Sequence, residues 1–537
     1  MNNYISKKEA INLKIIEEER NKINNKYINE QLIQLKSYFD NLYVEVDDSI
    51  KLDEEQRIAI LTDEDYNMII AGAGSGKTTT MAAKVKYLVD IKNINPRDII
   101  VISFTNKAVE ELKQRINIDF KIKCPIYTFH KFGLVILNNE NLKVLDNGYN
   151  IINNYIEKTI GNDNKTLKQF IKIFKEYFDI PFFSKMFKSI NFYYDFFKLK
   201  NKENCYKKFI LYCLNIIQQI KIRNLDFDCF NNIDKKYNFF IEFIHCLYNY
   251  YNNKLKENNY LDFEDIINEA TKKLDGKTLD YKYIIVDEYQ DISIQRFQLL
   301  KKITDVSNSK LIVVGDDFQS IYNFSGSDIN LFTNFKKIFG YCSQLKITKT
   351  YRNSQQLINI AGKFVMKNEK QIKKQLISNK SLEECIELIY YKNDRIKKLE
   401  YCLKDIVDKY GTNQKILLLG RYSFDIKYYL GENFKISNNK IESIKYPYLD
   451  ITFLTVHSSK GLGFDQVILL NCNDDIFGFP SKIEDDYFIK LINNNNQIEE
   501  ERRLFYVALT RTKNKVYILY DKKKPSGFII ELKTYYN

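Results

Sequence analysis

Apolar and polar positions follow two rhythms along this chain. From about 51 to 134, and again from about 281 onward, runs of five or six apolar residues stop at a glycine, an acid or a hydroxyl residue and give way to amphipathic stretches. That alternation predicts buried strands joined by helices in an open α/β sheet. The first run lies in YNMIIAGAGSGKTTTMAAKVKY, the second is Ile99 to Ser103, and a third, in CPIYTFHKFG, ends at Thr128, Phe129 and His130. KYIIVDEYQDIS and LIVVGDDFQSIYNFSGSD resume the pattern. Between the third run and KYIIVDEYQDIS, from about 135 to 280, long helical stretches dense in aromatics and lysine predict an inserted helical domain, for example FKEYFDIPFFSKMFKSINFYYDFFKLK. Residues 1 to about 50 place Ile, Leu and Tyr at helical spacing among Lys and Glu, predicting one long helix or a helical pair that packs on the body.

Composition narrows the class. A chain of 537 residues holds about three or four domains. No run of about 18 uncharged apolar residues spans a membrane, and the N-terminus MNNYISKKEAINLKIIEEER is too charged for a signal peptide. Lys plus Arg 82 against Asp plus Glu 69 gives +13, which favours a polyanionic partner such as nucleic acid, on a background rich in Lys, Asn, Ile and Tyr throughout. The nine cysteines are scattered without a C-x-x-C, which argues against zinc or iron–sulfur ligation and fits a reducing, cytoplasmic setting. Of three histidines, His130 and His457 fall in the motif segments, while His245, in IEFIHCLYNYY, reads as a core histidine.

The candidate chemistry begins at the turn after the first strand. Ala71, Gly72, Ala73, Gly74, Ser75 and Gly76 lead into Lys77 and Thr78 at a helix start. Glycines there allow the backbone to curl its N–H groups round an anion, beside the positive end of the helix dipole. Lys77 would reach the outer phosphates of a nucleotide and Thr78 would offer its hydroxyl to Mg²⁺. The strict phosphate-loop pattern begins with Gly, where this chain has Ala71. Gln56, just ahead of the strand, carries an amide able to pair with both the donor and the acceptor of an adenine edge. Asp287 and Glu288 end a later strand, suiting Mg²⁺ held through water and polarisation of an attacking water. Gln319 could sense the γ-phosphate, and Tyr322 and Phe324 could stack on bases. Thr105, Asn106, Thr128 and His130 sit where the carboxyl ends of strands gather ligand groups.

Downstream, ITKTYRNSQQLINIA, KILLLGRYS, ITFLTVHSSKGLGFDQVILLN and EEERRLFYVALTRTKNKVYILY complete a set of motifs from about 52 to 520. Together they resemble superfamily 1 helicases of the UvrD, Rep and PcrA type, closest in wording to the helicase IV branch. The resemblance implies two tandem RecA-like domains with ATP in the cleft between them: motor domain 1A at 51–134 and 281–340, a 1B-like helical insertion at 135–280, and motor domain 2A at 341–537. It implies that Gln56 and Tyr351 hold adenine and that Thr79 and Gly461 lie at the nucleotide. It implies further that Lys77 and Thr78 hold phosphates and Mg²⁺, Asp287 and Glu288 act on Mg²⁺ and water, and Gln319 couples the γ-phosphate to DNA. Arg352 and Arg511 would be arginine fingers, worth roughly 10³ to 10⁵ in rate in related phosphoryl transfer. Phe104, Asn106, His130, Phe324 and His457 would contact the strand.

Four departures stand out. Thr79 replaces an arginine that sandwiches adenine, Asn323 and Ser325 replace arginines of UvrD, and Gly463 replaces the usual Glu. Only about 30 residues separate Arg421 from Ile451, where UvrD carries its 2B subdomain, so 2B is absent or vestigial at about 422–450. The implied function is an ATP-dependent 3′→5′ DNA helicase or single-strand translocase of repair, recombination or anti-phage defence. The alternatives are a translocase working only with a protein partner such as a nuclease, and an ATPase that remodels RNA polymerase.

Overall fold

The computed structural model describes residues 7–139, 142–162, 203–230, 238–483, 492 and 497–535. The first strands are β1 (Tyr66–Ala71), β2 (Ile99–Ser103) and β3 (Ile126–Thr128). Two short strands, β4 (Lys143–Val144) and β5 (Tyr260–Leu261), pair parallel with each other at the root of the insertion. β6 (Tyr283–Val286), β7 (Lys310–Gly315) and β8 (Ser343–Ile347) then return to the first sheet, whose order is β3-β2-β6-β7-β1-β8, parallel throughout. β1 and β2 begin and end where the apolar runs do. Their continuous apolar text follows from burial on both faces, with one core cluster on each side of the sheet.

The second sheet holds β9 (Ile386–Tyr391), β10 (Lys415–Gly420), β11 (Phe434–Ser437), β12 (Lys440–Ser443), β13 (Asp450–Thr455), β14 (Gln466–Leu469) and β15 (Val516–Asp521) in the order β11-β12-β13-β10-β14-β15-β9. Strands β13, β10, β14, β15 and β9 are parallel. β11 and β12 form a hairpin turned by Asn438 and Asn439, both at positive φ, and add antiparallel to β13. The stretch after Arg421 is therefore two edge strands of this sheet and a short turn, Asp425–Tyr428.

Helices Tyr149–Asn162, Glu203–Arg223 and Asn238–Glu257 of the insertion share a core around Ile156, Ile217 and Leu247. Most of its aromatic and lysine-rich run falls in 163–202, outside the described residues. Helix Glu203–Arg223 carries the buried Lys221, which donates to Asp262 and Asp265 at 2.7 Å each. The same helix grips the loop after β7: Gln219 donates to the Phe324 carbonyl at 2.9 Å and Arg223 to the Asn323 carbonyl at 3.3 Å. A Cβ on Gly326 would meet Ile222 Cγ2 at 2.2 Å, so this approach requires glycine.

The N-terminal region is a helical pair, Lys7–Gln34 and Lys36–Asn41. Arg20 lies 4.1 Å over the Tyr341 ring, and Tyr43, just beyond the pair, donates to the Thr79 carbonyl at 2.7 Å. His245 corrects the expectation of a core histidine. Helix Asn238–Glu257 buries Phe240, Phe243, Ile244, Leu247 and Tyr251, and position 245 turns off that stripe, leaving His245 exposed and stacked on Phe227 at 4.3 Å. Among the described residues, no helix is long and apolar enough to cross a membrane.

Because Lys221 is paired with two carboxylates in a nearly dry site, Lys221→Met should lower unfolding stability by about 3–5 kcal/mol, measured by urea denaturation.

Candidate nucleotide site and strand track

The loop after β1 is shaped by what surrounds it. Gly74 and Gly76 adopt φ of +72° and +77°, the left-handed region that favours glycine. At Gly74 a Cβ would also stand 2.5 Å from Arg352 Cβ, so the segment after β8 rests directly on the loop. The loop carbonyls are taken by protein donors: Ala73 accepts from Thr350 Oγ1 at 2.7 Å, Gly74 from Tyr351 N at 3.0 Å and Ser75 from Gln56 Nε2 at 3.0 Å. The first N–H groups of helix Lys77–Asp90, which have no partner within the helix, open onto a cavity of about 500 Å³. Lys77, Thr78, Thr79 and Gly461 line it, with the catalytic candidates Asp287, Glu288, Gln319, Arg352 and Arg511.

Gln56 is buried, and its amide is engaged at both ends, the oxygen accepting from Asp53 N at 2.9 Å in a capping box. Tyr351 donates to the same Asp53 at 2.8 Å while its ring stays exposed. Gln56 thus braces the loop, and the exposed Tyr351 ring has Lys349 Nζ 5.4 Å from its centre. Beside Thr79, where the family arginine is missing, Arg115 reaches Thr79 Oγ1 at 3.3 Å and lines the same cavity.

β6 delivers the acids. Glu288 sits at φ +50°, an uncommon conformation for a residue with a side chain. Its carboxylate faces Lys77 Nζ at 3.6 Å and accepts from Gln290. Burial, then the neighbouring Glu288 charge, pushes the Asp287 carboxyl upward. Burial opposes the Glu288 charge as well, but Lys77 and Lys460 outweigh it and hold that carboxyl below its usual range. The buried Asp287 carboxylate and the adjacent, partly exposed Glu288 carboxylate, beside a threonine hydroxyl, are a donor set that fits Mg²⁺, with phosphate oxygens and waters filling the remaining positions.

Behind the acids lies Asp316, fully buried. Its N–H donates to Gln290 Oε1 at 2.8 Å, one carboxylate oxygen accepts from Gln319 Nε2 at 2.6 Å, and the other from Lys374. Lys374 also donates to Asp317 and lies 3.9 Å over the Phe318 ring. Gln319 in turn accepts from Arg511 at 3.1 Å. Burial and the nearby Arg352 draw the Arg511 pKa down to about 9. Arg352 donates to the Thr510 carbonyl at 3.4 Å, and a Cβ on Gly463 would lie 3.2 Å from its Nε, so glycine leaves room for this guanidinium.

Among the strand candidates, Tyr322, Phe324 and His457 come together. Phe324 meets His457 edge-on at 5.3 Å and Tyr322 at 5.9 Å, and Tyr322 donates to the His457 carbonyl at 3.3 Å. Burial, with Arg421 and Lys460 nearby, lowers the His457 pKa to about 4 and keeps it neutral. Phe104 lines the same cavity as Tyr322 and is packed on Phe129 at 5.4 Å under the Arg296 guanidinium. His130, against Phe263 at 5.6 Å, is also held neutral by burial and Arg296. Thr105 and Thr128 accept from Ala108 N and Lys131 N as helix caps, and Asn106 is exposed at the first helical position. Sequence reasoning missed Gln290, Lys374, Arg115 and Arg296. Gln290 carried a signal, two residues past the acid pair in the same tight turn; Lys374 carried none within its lysine-rich segment.

The profile of the UvrD/REP helicase N-terminal domain matches residues 52–340, more than half of the chain. The chain belongs to the UvrD/REP helicase family. Its enzyme class comes with the family: a helicase of superfamily 1, driven by ATP. The viral superfamily 1 RNA helicase core domain also matches, over residues 250–520. DNA helicase IV of Escherichia coli K12 is 27% identical, the match covering 97% of this chain and 75% of that protein. A probable DNA helicase of Mycoplasma pneumoniae is 25% identical over 87% of this chain and 83% of its own length. The ATP-dependent DNA helicase Rep of Buchnera aphidicola subsp. Schizaphis graminum is 29% identical over 69% of this chain, which spans 54% of that Rep.

In this helicase Gln290 orients Glu288 while holding the Asp316 backbone. Gln290→Leu should lower steady-state ATP hydrolysis about 10–100-fold, the usual cost of losing a supporting hydrogen bond, while binding of a fluorescent ATP analogue stays within a few-fold of wild type.

Proposed function

We propose that this chain is an ATP-dependent 3′→5′ DNA helicase or single-strand DNA translocase acting in repair, recombination or anti-phage defence. One observation carries the reading: Lys77 and Glu288 from the first sheet and Arg352 and Arg511 from the segments beyond β8 line one cavity, with Gln319 bonded to Arg511 across it. The assignment of 51–134 and 281–340 to motor domain 1A, 135–280 to a 1B-like insertion and 341–537 to motor domain 2A belongs to the same proposal, with one correction: β8 (Ser343–Ile347) pairs with β1 and so belongs to the first sheet.

Lys77 and the loop N–H groups bind the nucleotide phosphates. Glu288, turned into the cavity by its positive φ and steadied by Gln290, orients the attacking water and takes its proton. Thr78 and Asp287 would hold Mg²⁺, which when bound supplies charge neutralisation at the phosphates. Arg352 and Arg511 stabilise the charge that spreads over the transferred phosphoryl oxygens, and only while the two sheets are held together. Gln319 ties Arg511 to the loop bearing Tyr322 and Phe324, so the state of the cavity reaches the rings that grip a base. Closure and opening then move these rings against His457 and advance the strand.

The hairpin β11–β12, standing where the larger relatives place a subdomain, favours a second reading in which the chain translocates alone and opens duplex only with a protein partner.

Hydrolysis should rise on adding single-stranded DNA, and Lys77→Ala and Glu288→Gln should each abolish it. Arg511→Ala should lower kcat by about 10³-fold. A 3′-tailed duplex, and not a 5′-tailed one, should be opened. Stimulation without unwinding selects the partner-dependent reading. Stimulation by RNA alone overturns the DNA assignment, and no stimulation by any nucleic acid points to a protein-remodelling ATPase.

A further inference from the structure

We infer that Tyr422, Phe424 and Phe477 form a second nucleobase platform, which extends the strand track from His457 across the second sheet. This deepens the proposed function and rests on its reading of Tyr322, Phe324 and His457 as the track.

The placement comes from topology. β13, β10 and β14 are neighbours in the second sheet and run parallel, so the loops leaving their carboxyl ends lie side by side. His457 follows β13, Tyr422 and Phe424 follow β10, and Phe477 follows β14. Neighbouring strands stand about 4.8 Å apart, so three aromatic positions step across the carboxyl edge of the sheet, where ligand groups of parallel sheets gather.

The geometry suits bases. Tyr422 and Phe424 are stacked, centroids 5.1 Å apart and planes 5° from parallel. Phe477 stands edge-on to both, at 5.8 Å and 5.4 Å. The arrangement is fixed from below: Tyr422 Oη is hydrogen-bonded to Ser481 Oγ at 2.5 Å, and its N–H donates to Asp425 at 2.8 Å. Phe477 is nevertheless 52% exposed, and a cavity of about 170 Å³ opens beneath it beside Arg395. Held rings with an open face are costly in water and match the flat faces of unpaired bases, which stack without regard to sequence.

The path back to the first rings is continuous. Arg421 lies 4.7 Å over the Tyr422 ring, fixed by Glu501 through Nε at 3.0 Å and a terminal nitrogen at 2.7 Å. Its charge also acts on His457, which meets Phe324. Of the nearby acids, Asp474 pairs with Lys482 at 2.8 Å and Asp475 with Lys524 at 3.8 Å, while Asp425 is buried and accepts from Tyr422 N and Asn471 Nδ2. A single strand leaving Phe324 therefore meets a guanidinium and two further ring faces before it clears the protein.

The test is fluorescence anisotropy of the full chain with a labelled thymidine oligonucleotide and with an abasic oligonucleotide of equal length. Phe477→Ala and Tyr422→Ala should each weaken binding of the thymidine strand about tenfold, and Phe477→Trp should retain it. On the abasic strand, which has charge but no bases, wild type and variants should bind alike. Wild-type affinity of Phe477→Ala for the thymidine strand, or equal losses on both strands, would overturn the platform while leaving the track at Phe324 standing. Failure of the wild-type chain to bind either strand would overturn the track reading itself, and the platform with it.

Discussion

Everything at the cavity depends on one buried carboxylate. Asp316 has no water to solvate it, and an ionised acid in such a place is stable only when its lone pairs are filled and a cation stands beside it. Lys374, Gln319 and the Phe318 N–H meet that demand, while Gln290 accepts from the backbone N–H of the same residue, and Lys374, Gln319 and Gln290 each bring a different part of the molecule. Gln290 leads to Glu288, Gln319 leads to Arg511, and Lys374 belongs to the chain beyond β8. Satisfying that one charge thus ties Arg511 to the seam between the sheets, and the Asp316 N–H, accepted by Gln290, joins Glu288 to the same network.

The loop that carries Phe324 is held in a comparable way, from two sides. Gln219, Ile222 and Arg223 hold it from the insertion, while Glu500, at the start of helix Gln497–Leu509, accepts from Asn323 N at 3.1 Å. Asn323 and Ser325 carry no charge on the loop itself, and Arg223 sets a cation beside it from another element. The insertion is therefore a support of the loop that bears Tyr322 and Phe324 as well as an added lobe.

Much of this was legible in the sequence, for physical reasons. Strands buried on both faces are written as unbroken apolar runs, so β1, β2, β6 and β7 could be bounded closely, and the residues at their carboxyl ends could be assigned to a ligand edge. The phosphate loop was readable because glycine at positive φ and a helix-starting lysine leave a local signature. What escaped depends on tertiary approach. Lys374 looks like any surface lysine until Asp316 and Asp317 are folded against it. The engagement of Gln56 with Ser75 depends on how helix Glu54–Leu61 docks. His245 was misjudged because apolar neighbours in sequence do not fix which side of a helix a residue takes.

Gly74 and Arg352 meet with no space for a methyl group between them. A joint with so little slack passes on small displacements instead of absorbing them. Movement of the loop by the breadth of one atom must reappear in the segment Thr350–Arg352, and so in the sheet that begins beyond it. Clearance at one contact, more than the rigidity of either sheet, sets how finely one half of the molecule registers what the other half holds.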